Sequence, residues 1–135
     1  MKRNVYVLLM PSLVVMLGSC EGTTTHEWRV VNASSVAIEV EPAFSSLVVH
    51  EPSRSIAPGG EAVIGHEDDI RGGNSDAEVH LSYVEHITIV SSEGDTATRN
   101  GTIAGDWTSS SDHKRRMPSY WAHRHVMTVT DADLE

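Results

Sequence analysis

Cysteine occurs once in the 135 residues, at Cys20, so no disulfide within the chain can staple its fold. Aromatic side chains are also scarce, with 1 Phe, 3 Tyr and 3 Trp, and a core must therefore be built mainly from Val, Ile, Leu and Ala. Positive charge is short, with 10 Lys and Arg against 19 Asp and Glu. That balance argues against nucleic acid as a partner and against electrostatic docking on anionic lipid. Beyond the first twenty residues there is no long apolar run and no sustained apolar stripe at a period of 3.6, which leaves little room for helices. Neither Gly-x-Ser-x-Gly nor His-Glu-x-x-His occurs, so hydrolase chemistry has no handle and the chain reads as non-enzymatic.

What is present begins with the first twenty residues. Met1-Lys2-Arg3 is a short cationic start, and Val5–Leu17 is an apolar run interrupted by Pro11 and Ser12. Leu17-Gly18-Ser19-Cys20 closes it with small residues ahead of the thiol. The apolar run would span roughly 20 Å as a helix, too short for a hydrocarbon core of about 30 Å. A signal peptide covering residues 1–19 is expected, with Cys20 as the lipidation site. Lipid on Cys20 consumes the thiol and ties the chain to a membrane, which makes that membrane the first expected partner. Glu21 follows in place of the aspartate that retains lipoproteins in an inner membrane, so an outer-membrane location is expected. The face it occupies, periplasmic or cell-surface, is left open.

Cleavage before Cys20 leaves one domain's worth of chain. Residues 20–25 read as the lipidated cysteine and a polar tether, Gly22-Thr23-Thr24-Thr25, and 26–135 as one domain. Period-two alternation marks strands at 27–32 and 36–41, the second stopped by Pro42. A short strand follows at 47–49, then 55–57 and 61–64 about the tight reversal Pro58-Gly59-Gly60. Residues 66–77 read as a long acidic, glycine-rich loop, and 78–82 as a strand or connection. His86–Val90 is a strand whose hairpin partner is Thr96–Arg99. Asp106–Pro118 reads as a second polar loop, 120–130 as a long final strand, and 131–134 as the start of a helical turn. Seven to nine short strands with turn signals between them predict an all-β fold, an antiparallel β-sandwich of immunoglobulin-like type.

The lipobox at Leu17–Cys20, the early strand ending in Asn32-Ala33-Ser34-Ser35 and the segment Ser55–Glu61 form a recognisable combination. Together with Trp107 and the closing Val129–Leu134, they resemble the small Ig-like β-sandwich lipoproteins of Bacteroidetes-type bacteria. The resemblance implies a sandwich and an envelope location. It carries no catalytic residues over, because that group has no settled activity to transfer.

Candidate chemistry is sparse. His123 and His125 stand two apart on a strand, on one face, within reach of a single metal ion. A third ligand would have to come from His26, His86, Glu85 or the acidic loop; the competing reading is a solvated surface pair. Glu67, Asp68, Asp69, Asp76 and Glu78 crowd one segment, but without the spacing of a calcium loop. Trp107, Tyr120 and Trp121 are candidates for an aromatic platform that binds sugar or peptide, against the reading that the tryptophans fill the core. Asn32-Ala33-Ser34 fits a glycan-acceptor pattern that has no bearing on a bacterial lipoprotein. The expected function is a non-catalytic envelope module, without cofactor, that contacts a protein or glycan partner. Metal binding through His123 and His125 is the alternative.

Overall fold

In this computed structural model the described residues are 22–45, 48–71, 73, 75 and 78–135. The signal segment and Cys20 lie outside them. Alternating residues build β1 (Thr23–Asn32), β2 (Ile38–Phe44), β3 (Val49–His50), β4 (Arg54–Ile56) and β5 (Glu61–Arg71). A short 3-10 helix (Glu78–Tyr83) leads to β6 (Val84–Ser91) and β7 (Thr96–Asn100), and a second (Ala104–Asp106) to β8 (Thr108–Arg116) and β9 (Ser119–Val129). One sheet runs β3–β5–β1–β9–β8 and the other β4–β2–β6–β7, giving an all-β sandwich. Every pairing is antiparallel except β1 with β9, which run parallel at the heart of the larger sheet.

The core lies between the inward positions of the two sheets. Trp28, Val30, Ile64, Met127 and Val129 come from one side, and Ile38, Val40, Ile56, Ile87 and Ile89 from the other. Phe44 meets Trp28 edge-on at 5.4 Å between ring centres. Gly65 makes that contact possible. It lies opposite Trp28 in the β1–β5 register, and a Cβ there would stand 2.6 Å from the Phe44 ring.

Five expectations are corrected. The threonines read as a tether belong to β1, which begins at Thr23, so the fold starts three residues after Cys20. Threonine is β-branched and suits a strand, and the pairing of Thr23 with Tyr120 and Thr24 with Trp121 supplies the ladder. Pro42 lies inside β2, not at its end. It stands where β4 has already left the sheet, so β2 has a partner on one side only and the missing N–H breaks no second ladder. The acidic stretch 66–69 continues β5, and Asp106–Pro118 holds the nine-residue edge strand β8. The Pro58-Gly59 reversal, with Gly59 at φ 74°, carries the chain from one sheet to the other and closes no hairpin.

The sandwich has two distinct ends. At the near end, β1 begins beside the β8–β9 turn, with Thr23 paired to Tyr120. At the far end stand Asn32, the Gly59-Gly60 turn, the β6–β7 turn and the last residues of β9.

Candidate functional site

The histidines singled out by spacing are brought together with a third, and all are buried. His26 and Trp28 point inward from β1, opposite His123 and His125 of β9. On β8, Ser111 and Ser109 complete the two rows, opposite His123 and His125 respectively. His26, His123 and His125 are 1%, 2% and 0% exposed, which rules out a solvated surface pair. His26 Nδ1 and His125 Nε2 share a hydrogen bond of 2.9 Å, with the two rings nearly coplanar. Ser109 Oγ lies 2.8 Å from His125 Nδ1, and Ser111 Oγ lies 2.8 Å from His123 Nδ1. Both nitrogens of His125 are thus engaged by protein. In the neutral ring one of them carries the proton and the other offers its lone pair.

The two nitrogens of His125 are committed to His26 and Ser109, and among the described residues no three His, Cys, Asp or Glu side chains are grouped about a common point. His86 and Glu85 are exposed on β6, in the other sheet, and do not approach the pair. His26 is the expected third member that does arrive, and it comes as a hydrogen-bond partner.

Glu67 stands opposite His26 on β5 and extends the row across the sheet. Its Oε2 is buried without a hydrogen-bond partner among the described residues, and burial raises its pKa above the ordinary 4.5. A carboxyl whose folded pKa is raised costs stability once pH exceeds that pKa, and costs nothing where it is protonated in both states. Glu67→Gln should therefore raise the melting temperature at pH 7.5, and the gain should shrink toward pH 4.5. Melting curves of both proteins at the two pH values test this; a gain as large at pH 4.5 would remove the carboxylate charge as the cause.

The other acidic residues do not converge. Strand alternation sends Glu67 inward and Asp68 outward, where Asp68 lies 3.7 Å from His66. Asp69 continues β5, Glu78 opens the first 3-10 helix, and Asp76 lies outside the described residues. The outer face of the larger sheet carries an ion-pair network instead. Arg29 binds Glu27 at 2.6 Å and Glu61 at 2.7 Å, and Arg124 reaches Glu27 at 3.3 Å. Arg29 beside Glu27 holds that carboxyl below its ordinary pKa.

The proposed aromatic platform is split. Trp107 is a core residue, 7% exposed, and its indole N–H donates to the Gly101 carbonyl at 2.9 Å. Its neighbour Thr108 pairs with Val126, so Trp107 and Trp121 lie on the order of 20 Å apart along β9. Trp121 is half-buried at the near end, stacked face to face on His113 with ring centres 4.2 Å apart. Tyr120, its neighbour on β9, points to the other face.

No family model, no curated protein and no solved structure matches this chain. Its chemistry is read from its own geometry. The expectation that no Ser-x-x-Lys nucleophile pair occurs is corrected, since Ser111-Asp112-His113-Lys114 has that spacing. Each has another partner in the structure, Ser111 Oγ on His123 Nδ1 and the Lys114 ammonium on Asp112. The remaining surface of distinct character is the β8–β9 turn. Lys114, Arg115 and Arg116 follow one another there, and Met117 is 81% exposed.

Proposed function

We propose that this chain is a lipid-anchored protein of the bacterial envelope, held by lipid on Cys20, whose β-sandwich is a non-catalytic module that contacts a protein or glycan partner. The observation that carries the reading is the junction of signal and fold. A cationic start, a short apolar run and Leu17-Gly18-Ser19-Cys20 lead, within three residues of the cysteine, into a strand at the centre of a sheet. A cut before Cys20 leaves the whole sandwich intact, with its first strand beside the point of attachment. The burial of His26, His123 and His125 supports the non-catalytic part, because all three rings lie in the sheet interior and both nitrogens of His125 are bonded within the protein. The edge strand β8 and the turns are the surfaces left for a partner. With Glu21 after the cysteine, the outer membrane is the proposed location.

Cys20→Ala tests the anchor. Fractionation of cells should find the parent protein in membranes and the variant either released or retained as an uncleaved precursor without lipid. A variant that is cleaved and stays in the membrane at the parent level would refute the anchor. Protease treatment of intact cells then decides between cell surface and periplasm.

A further inference from the structure

Carboxylates stand at both ends of the sandwich: Glu61, Glu93, Asp95, Asp131 and Asp133 at the far end, and Glu67, Asp68 and Asp69 on the part of β5 that runs to the near end. The near end carries Lys114, Arg115 and Arg116 in succession, and Arg71 stands opposite Thr23 in the β1–β5 register. Three carboxylates are described beside Lys114 and Arg115, and one of them, Glu27, lines a groove with Asp112 and Lys114. Asp112 takes Lys114, and Asp68 lines an open groove of about 650 Å³ with Thr23, Thr25, Lys114, Arg115 and Tyr120. Among the described residues, neither Arg115 nor Arg116 has a carboxylate within ion-pair distance, and Arg115 Nε donates to the Pro118 carbonyl. Beside these cations lie an exposed methionine, Met117, and two half-buried rings with polar tips, Tyr120 and Trp121.

The chain enters the fold at the same place. Thr23 pairs with Tyr120, and Gly22 lies so close to Ser119 that a Cβ on it would stand 2.2 Å from the Ser119 carbonyl oxygen. Thr23 is three residues on from Cys20, a reach of at most about 10 Å. Lipid on Cys20 would therefore hold this end, and no other, within a headgroup's depth of the bilayer. Cations beside an apolar side chain and ring-bearing tips suit such an interface, where guanidinium groups meet phosphate and Tyr and Trp rings settle at headgroup level.

We propose that the β8–β9 turn, with Lys114, Arg115, Arg116, Met117 and Tyr120, is a membrane-docking surface that engages the phosphate-bearing headgroups of anionic phospholipid. It rests on the anchor reading for its position, and it gives the sandwich a fixed attitude: near end on lipid, acidic far end turned outward toward a partner. The overall acidity that argued against lipid docking belongs mostly to the rest of the surface.

The test uses the full chain, purified from membranes and reconstituted in phosphatidylethanolamine–phosphatidylglycerol vesicles. A fluorophore is placed through Met117→Cys, or through Glu93→Cys at the far end. The mass of the N-terminal fragment reports lipid on Cys20 independently. Brominated lipid should quench the label at 117 at least about twofold more than the label at 93. Lys114→Ser, Arg115→Ser and Arg116→Ser combined should abolish the difference while leaving the circular-dichroism spectrum unchanged. Equal quenching at both positions in acylated protein overturns the docking surface and leaves the anchor standing, as it would if an acidic protein were the real occupant of the turn. A fragment without added mass overturns the anchor, and docking is then judged on the unacylated chain by sedimentation with the same vesicles. Each cation at an anionic surface contributes about fivefold in partition, so the triple variant should lose roughly a hundredfold. Failure of the parent to sediment overturns docking as well.

Discussion

Replacing Trp28 by alanine is expected to cost about 3–5 kcal/mol of folding stability, the largest loss from any single truncation in this chain. Trp28 is fully buried at the centre of β1, the strand flanked by both β5 and β9. Its ring is packed by Phe44 at 5.4 Å, His125 at 5.5 Å and His26 at 5.8 Å between ring centres. Truncation opens a void beneath three rings that cannot collapse into it, because His125 is tied to Ser109 and His26 to His125. Domains of this size have about 5–15 kcal/mol in hand, so the variant should be largely unfolded near body temperature. Trp28→Phe separates volume from polarity. The indole N–H has no hydrogen-bond partner among the described residues, so losing it removes a buried orphan donor while most of the ring stays. That variant should lose less than about 1.5 kcal/mol. Urea unfolding of the three proteins measures this, and equal losses for Phe and Ala would show that the ring is not what fills the core.

How much of this was legible in the sequence depended on which physical signal each element carries. Strands with an apolar face announced themselves by alternation: His86–Val90 became β6 (Val84–Ser91), and the 120–130 segment became β9 (Ser119–Val129). Strand β8 carries no such face. As an edge strand it is exposed at most positions, so TSSSDHKRR has the composition of a loop and owes its extended form to pairing with β9. The acidic half of β5 was hidden for the same reason, because β1 and β3 hold it in place and not its own apolar residues. The buried histidines had a signal that composition obscured. His26 is in phase with Trp28 and Val30, and His123 and His125 with Met127 and Val129, so each lies on the inward face of its own strand. Read by phase, they belong inside. Read by residue type, they look like surface ligands. The parallel pairing of β1 with β9, which sets the three rings side by side, is a long-range fact that no local pattern carries.

Asn32→Leu is expected to cost about 3–5 kcal/mol, although the two side chains are similar in size and Asn32 is fully buried. A reading by hydrophobicity alone gives the opposite sign. The amide uses all of its hydrogen-bonding capacity: Nδ2 donates to the Val36 carbonyl at 2.8 Å and to the Ile56 carbonyl at 3.0 Å. Oδ1 accepts from the Ser34 N–H at 3.0 Å and from its hydroxyl at 2.6 Å. Around this side chain the backbone closes the far end, with Asn32 N–H on Gly60, Gly59 N–H on Asn32, and Ala33 N–H on Val129. One amide therefore joins the end of β1 to the approach to β2 and the end of β4, at the point where the chain passes between sheets. Leucine keeps the volume and leaves those partners buried without replacements, at about 1–3 kcal/mol for each that water cannot reach. The Val36 carbonyl is partly protected, since the Ser34 hydroxyl also reaches it at 3.0 Å, which keeps the total below a simple sum. Ser34→Ala is the control. It removes one hydroxyl from the same cluster and should cost about 1 kcal/mol. Denaturant unfolding of the two variants decides the matter: if Asn32→Leu loses no more than Ser34→Ala, the amide is not the clamp, and the backbone bonds alone hold the far end closed.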